Sequence, residues 1–198
     1  MKQQKVDLDF LKACFKAKGV NEGSKEMFEE FASKIEVFSI KKYSVLSKEG
    51  DVWGYIGLVK SGILRTYYIK NGKDVTEGFV PEGREFTSLA SLYSQKESCL
   101  LVAAEEDTIY YRMSYEDIEK LCIKYPAFDL FFQQSMAYKI KMFNIYFEIL
   151  HLDSADERFN LFSREFPNVV SRVPSIHLAT CLGITPETLS RVKSRRYK

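Results

Sequence analysis

Residues 126–152 read as one long helix, and that helix limits what the rest of the chain can become. At 1.5 Å per residue it spans roughly 40 Å. Two apolar stripes run along it. One is Phe132, Met136, Ile140, Phe143, Phe147 and Leu150; the other is Phe131, Ser135, Tyr138, Met142, Ile145 and Ile149. A helix apolar on two stripes needs two bodies to pack against. The chain's own preceding domain can cover one stripe. A second copy of the helix can cover the other as a coiled-coil-like seam. The expected seam is the second stripe, through Phe131, Tyr138, Met142, Ile145 and Ile149, so the chain is expected to be a homodimer.

The segment before this helix reads as β. Residues 7–18 and 22–34 have helical spacing, but from 35 to 113 the pattern changes to short strands over 36–41, 53–60, 63–70, 74–80, 99–105 and 108–113. Turn signals separate several of them, and Asn71-Gly72 is a strong hairpin signal because both residues tolerate positive φ. Many short strands with regular turns suggest a jelly roll or barrel. Ser114 with Asp117 three residues later has the spacing of a capping box, opening a short helix.

The segment after the long helix reads as α. Leu152-Asp153-Ser154 looks like a hinge and residues 155–166 like a helix ended by Pro167-Asn168. The run VPSIHLATCLGITPETLSRVKSRRYK then places two short helices around one glycine. Gly183 breaks the first, Thr185 can cap the second, and Pro186 suits its first position. Leu178, Ala179, Leu182, Gly183, Ile184, Leu189 and Val192 together have the spacing of a helix-turn-helix, whose second helix can enter the major groove of DNA. The outward face of that helix carries Glu187, Thr188, Ser190, Arg191, Ser194 and Arg195, all able to bond to base edges or phosphates. The expected DNA-contacting residues are Ser175, Thr185, Glu187, Thr188, Ser190, Arg191 and Arg195. Arg191 is the principal base reader, with Glu187 beside it; Arg195 and Arg196 hold the phosphate backbone. His177, in the first helix, is expected at the surface or facing phosphate.

Charge agrees with this orientation. Residues 158–198 carry 8 basic and 2 acidic side chains, and residues 1–157 the remaining 21 and 25, so a +6 end sits on a −4 body. That asymmetry suits one end meeting phosphate. No run of ~18 apolar residues exists, and MKQQKVDLDF lacks the apolar core of a signal peptide, so a cytoplasmic protein without membrane contact is expected. Cys14, Cys99, Cys122 and Cys181 are isolated, and His151 and His177 are too few for a metal cupin, so no metal and no cofactor is expected. Nor is there a nucleophile–base constellation; the chain does not read as an enzyme.

TPETLSRVKS resembles the recognition helix of the Crp/Fnr superfamily, the catabolite-activator-like transcription regulators. Their usual run there is Ser/Thr-Arg-Glu-Thr-Val/Leu-Ser/Gly-Arg; Glu187, Thr188 and Arg191 match it, and Pro186 stands where many members carry a base-reading arginine. The spacing of Gly50-Asp51, Gly62, Gly72 and Gly83 is similar to the same superfamily's cyclic-nucleotide-binding-type barrel. The resemblance implies an α+β fold: an N-terminal double-stranded β-helix (jelly-roll) barrel over 1–125, a dimerisation helix over 126–152, and a C-terminal all-α helix-turn-helix domain over 153–198. It implies a sequence-specific transcription regulator whose partners are double-stranded DNA, a second copy and RNA polymerase. Iron–sulfur sensors of that superfamily use grouped cysteines, which this chain lacks.

Residues 84–99, REFTSLASLYSQKESC, correspond to the phosphate cassette of cyclic-nucleotide-binding members. There a Gly-Glu pair meets the ribose and an Arg-Ser/Thr pair neutralises the phosphate. Here Ser88-Leu89 stand at the first position and Glu97-Ser98 at the second. A buried phosphate without a cation is costly and Glu97 would repel it, so neither cAMP nor cGMP is expected to bind. The candidate residues for an unknown small-molecule effector are Arg84, Thr87, Ser88, Ser91 and Ser98, although capping and surface polarity account for most of them. The family usually continues past its recognition helix into a β-hairpin wing, which this sequence does not show. That departure leaves a second reading: a barrel that senses a ligand or binds a partner without productive DNA binding.

Overall fold

The structure, a computed structural model, describes residues 5–21 and 23–196. Two short helices come first, α1 (Leu8–Ala17) and α2 (Lys25–Ser33). Eight strands follow: β1 (Glu36–Ile40), β2 (Val45–Ser47), β3 (Tyr55–Ser61), β4 (Leu64–Lys70), β5 (Lys73–Val80), β6 (Glu85–Phe86), β7 (Leu101–Ala104) and β8 (Thr108–Ser114), with α3 (Leu89–Ser94) between β6 and β7. The remainder is helical: α4 (Tyr115–Lys124), α5 (Pro126–His151), α6 (Ala155–Glu165), α7 (Pro167–Val170), α8 (Ser175–Cys181) and α9 (Pro186–Arg196).

The strands form two antiparallel four-stranded sheets, ordered β1-β8-β3-β6 and β2-β7-β4-β5. The fold is α+β, a β-barrel followed by a long helix and a helical end. Trp53, Val59, Leu64, Phe86, Val102 and Tyr110 fill the space between the sheets. The Asn71-Gly72 hairpin forms as the sequence suggests, with φ of 52° and 73° and Lys70 paired to Lys73. Two strands were not legible: β2 and β6 have three and two residues, too few to show a period of two. The expected strand at 53 starts at Tyr55; Trp53 lies before it, buried in the barrel core, with its backbone N–H donating to Ser91 Oγ at 3.0 Å and not to a neighbouring strand. The short α7 also went unexpected; Pro167 starts a new turn rather than only ending α6.

α1, α2, α4 and the first turns of α5 cover the outer face of the first sheet. Phe15, Phe28, Phe31, Phe128 and Phe131 make an aromatic cluster there, with the Phe15 and Phe131 rings stacked at 4.0 Å. Each such ring contributes roughly 2–3 kcal/mol by leaving water. Caps follow the sequence: Ser114 Oγ accepts from Asp117 N at 3.1 Å, and Ser154 with Glu157 closes a full capping box on α6.

One expectation for α5 is corrected. The stripe assigned to the seam is the one the chain covers itself. Phe131, Ile145 and Ile149 are buried within the chain, Met142 packs on the C-terminal core, and Tyr138 lies under Arg84 at 3.8 Å. The stripe left open is the other one: Ile140, Phe143, Phe147 and Leu150 are 59%, 46%, 66% and 49% exposed. Their spacing of 3, 4 and 3 residues is a heptad seam. Both stripes are apolar at similar period, so sequence alone does not say which one turns inward.

Candidate nucleic-acid interface and barrel cavity

α8 and α9 owe their crossing to a small apolar core. Leu178, Ala179, Leu182, Leu189 and Val192 are buried, and Ile184 N donates to Ala179 O at 3.0 Å across the turn. Gly183 adopts φ 64°, which a side chain would strain. Thr185 Oγ1 accepts from Thr188 N at 3.2 Å and so caps α9. Arg158 then fixes the turn from behind, donating to Leu152 O at 2.9 Å and Leu182 O at 3.2 Å. Five of the seven motif residues are therefore the packed inner face of a helix-turn-helix, and Gly183 and Ile184 form the turn between its helices.

The opposite face of α9 is open. Glu187, Ser190, Arg191, Ser194 and Arg195 are exposed and Thr188 is half-buried. Arg191 Nη2 donates to Thr188 Oγ1 at 3.2 Å, which steadies the guanidinium without neutralising it. Glu187 is held below the usual carboxylate range by backbone N–H at the helix start and by the Thr185 hydroxyl, so it is an acceptor at neutral pH. Arg195 pairs with Asp156 Oδ2 at 3.2 Å, an exposed contact that phosphate can replace at little cost. Ser175 is exposed and accepts from Lys193 Nζ at 3.1 Å, which links the start of α8 to α9. Of the expected contacts, Thr185 is occupied as a cap, while Glu187, Ser190 and Arg191 stand together. The side chain of Arg196 lies outside the described residues.

His177 is a correction. It does not face outward but turns onto the barrel, where Nδ1 approaches Glu105 Oε1 to 2.7 Å. Arg65 Nε approaches the same oxygen to 3.0 Å, both without the alignment of a hydrogen bond. Arg65 also donates to Asp74 at 2.9 Å and lies over the Tyr67 ring at 3.9 Å. Close by, Thr180 Oγ1 sits 2.9 Å from Thr76 Oγ1, and Arg172 bridges Glu82, at 2.6 Å, and Glu106. Phe79 and Ile63 of the barrel join the core of the C-terminal helices. This tie between the barrel and the C-terminal helices has no local pattern in the sequence, because its partners lie 66 to 104 residues apart.

The candidate effector residues divide. Thr87, Ser88, Ser91 and Ser98 line one cavity of about 300 Å³ between α3 and α5. Most of their hydroxyls are already used. Thr87 donates to Tyr55 O at 3.0 Å, Ser91 to Lys96 O, and Ser98 to Ser88 Oγ at 2.9 Å. Glu97 is exposed at the rim. Arg84 is elsewhere, stacked on Tyr138, and lines a neighbouring cavity. Lys139 lines this cavity from α5, a residue that its place on a helix gave no reason to single out. Among the described residues, no three His, Cys, Asp or Glu gather as metal ligands would. None of their helices is long and apolar enough to cross a membrane.

This arrangement of a two-sheet barrel, the 26-residue α5 and a terminal helix-turn-helix is similar to several solved structures. FixK2 from Bradyrhizobium japonicum matches with TM-score 0.70 at 22% identity, over 82% of this chain and 84% of that one. A CooA mutant from Carboxydothermus hydrogenoformans matches with TM-score 0.68 at 18% identity, over 98% and 86%. CLP from Xanthomonas campestris, described as a c-di-GMP responsive global regulator, matches with TM-score 0.70 at 13% identity, over 88% and 92%. The chain has the Crp/Fnr fold. No protein-family model matches the sequence, and no curated protein does. The CooA match, over 98% of this chain, takes in the barrel, α5 and the helical end together.

Proposed function

We propose that the chain is a homodimeric, sequence-specific DNA-binding transcription regulator of the Crp/Fnr type, not responsive to cAMP or cGMP. One observation carries it. α9 buries Leu189 and Val192 and leaves Glu187, Ser190 and Arg191 exposed on the other face, where Glu187 and Arg191 attract each other but neither makes an ion pair among the described residues. An arginine so placed can donate two hydrogen bonds to guanine O6 and N7, and a glutamate can accept from cytosine N4. The open stripe of α5 supports the dimer, and two helix-turn-helix units can read half-sites one helical turn apart, ~34 Å. Double-stranded DNA and RNA polymerase are the partners of that role, and the cytoplasm its place. No catalytic step is assigned to the chain.

The absence of a cyclic-nucleotide response is supported by Glu97, exposed at the rim of the barrel cavity, and by Arg84, which lines the adjoining cavity and not this one. A phosphate at that rim would meet the Glu97 carboxylate, which repels it, with Lys139 the one cation lining the cavity. The test of the main reading is a gel-shift with fragments of the source genome. Retention of a defined fragment, abolished by excess of that fragment but not by bulk DNA, supports it. Uniform, salt-sensitive retention of all fragments, or none, leaves the barrel as a sensing or partner-binding module.

A further inference from the structure

The helices that cover the outer face of the first sheet do not fill all the space beneath them. A cavity of about 50 Å³ remains between that face and α2, α4 and α5. Ile56 and Leu58 of β3 and Met113 of β8 line it from the sheet, and Ile118 of α4 with Phe128 and Phe131 of α5 line it from the helices. All six are buried. Ile35, Phe132 and Met136 also line it and are half-buried, so they mark its open side. This cavity shares no lining residue with the one beside α3 that holds the effector candidates Thr87, Ser88, Ser91 and Ser98.

The polar side chains that reach its wall are already held. Arg112 donates to Glu36 Oε2 at 2.7 and 2.9 Å. The Tyr111 ring lines the cavity while its hydroxyl accepts from Asp7 N at 3.0 Å. Glu85 pairs with Lys18 Nζ at 2.9 Å, and Ser135 Oγ donates to Glu85 Oε1 at 2.9 Å. A water needs only roughly 10–15 Å³ but also about two to four polar partners, and this wall does not supply them. Room without hydrogen-bonding partners selects an uncharged, apolar occupant, because a polar one would give up its hydration for nothing. An engineered apolar cavity of roughly 150 Å³ takes benzene. The smaller space here suits a body of a few carbons, and the flexible Met136 side chain at the open side can yield to a somewhat larger one.

We infer that this cavity binds a small, uncharged, hydrocarbon-like molecule, packed against Leu58, Ile118 and Phe128 and admitted past Phe132 and Met136. The inference rests on the packing of α4 and α5 over the barrel and not on α9, so it and the DNA-binding reading can fail separately.

The test is NMR titration of the full chain, with its methionine methyl groups labelled, using propane against acetone and benzene against pyridine. Met113 and Met136 line the cavity, whereas Met27 is buried elsewhere in the same core and Met142 lines a neighbouring cavity. At least one hydrocarbon should shift the Met113 and Met136 methyls saturably, leave those of Met27 and Met142 in place, and bind roughly tenfold or more tightly than its polar counterpart. Leu58→Phe, which fills the space, should weaken that binding by a similar factor, while Ile118→Val, which enlarges it, should keep or improve it. Should Leu58→Phe not fold, Ile118→Val and the location of the shifts decide. No saturable shift with either hydrocarbon would leave only a packing void and overturn the inference. Equal shifts at all four methionines, a polar counterpart bound as tightly, undiminished binding in a folded Leu58→Phe, or binding lost in Ile118→Val would overturn it too.

Discussion

Phe147→Glu should convert the protein to monomers without unfolding it. Phe147 is 66% exposed in the single chain, in the middle of the open stripe of α5. An aromatic side chain presents roughly 200 Å², so a two-fold seam would take roughly 250 Å² of Phe147 surface from water in the two copies. At ~25 cal/mol per Å² that is about 6 kcal/mol per dimer. Allowing that only half of this area is desolvated leaves about 3 kcal/mol, or roughly two orders of magnitude in dimer affinity. The two introduced carboxylates would add repulsion across the seam. Ile149→Glu is the control. Ile149 is 0% exposed and belongs to the core shared with the C-terminal helices, so a charge there should lower the melting temperature of the chain itself. Sedimentation velocity at micromolar concentration, with thermal melts of both variants, separates the two. The reasoning is refuted if Phe147→Glu remains dimeric, or if Ile149→Glu yields a folded monomer of undiminished stability.

Two further predictions concern the barrel and its tie to the helical end. Calorimetry with cAMP and cGMP should show no binding at micromolar concentration of either; micromolar affinity for one of them would mean that Glu97 is not where the phosphate sits. Arg172→Ala should weaken the docking of the C-terminal helices by about 1 kcal/mol, since Arg172 and its two carboxylates stay about a third exposed to solvent screening. Arg172 holds Glu82 below the usual carboxylate range, so its share of stability is present above the unfolded value of 4.5 and is lost as pH falls through the lower folded value. The difference in melting temperature between the parent and Arg172→Ala should therefore persist from neutral pH to about 5 and shrink in stronger acid; a difference that grows on acidification would contradict this.

What was legible in the sequence was whatever local spacing dictates. The Asn71-Gly72 hairpin needs two residues of positive φ and the sequence supplies them. The helix-turn-helix needs apolar residues on one side of two short helices and a glycine between them, and Leu178 through Val192 meet that need. The Ser154 and Ser114 caps are set within four residues. What was not legible depends on partners distant in sequence. His177 reads as a surface residue until folding sets it against Glu105, and Lys139 as one more helical cation until α3 closes over it. The choice between the two stripes of α5 belongs to the same class. Each has the right period, and the barrel and C-terminal helices decide by covering Phe131, Ile145 and Ile149. β2 and β6 are held by pairing to β7 and β3 and carry no pattern of their own.

The central claim is that α9 reads sequence through Arg191, and a salt-dependent titration of Arg191→Ala and Arg195→Ala on matched and scrambled operators tests it most directly. Arg191 stands exposed beside Glu187 and donates to the Thr188 hydroxyl, whereas Arg195 lies a turn farther along, paired to Asp156 at the edge of the helix. Arg191→Ala should lose ~1–3 kcal/mol on the matched operator, much less on the scrambled one, and relax preference at one base pair. Arg195→Ala should weaken both DNAs alike and lower the salt slope by about one unit. Equal weakening of both DNAs by Arg191→Ala would contradict the account, because α9 would then be docking on the backbone and not reading bases.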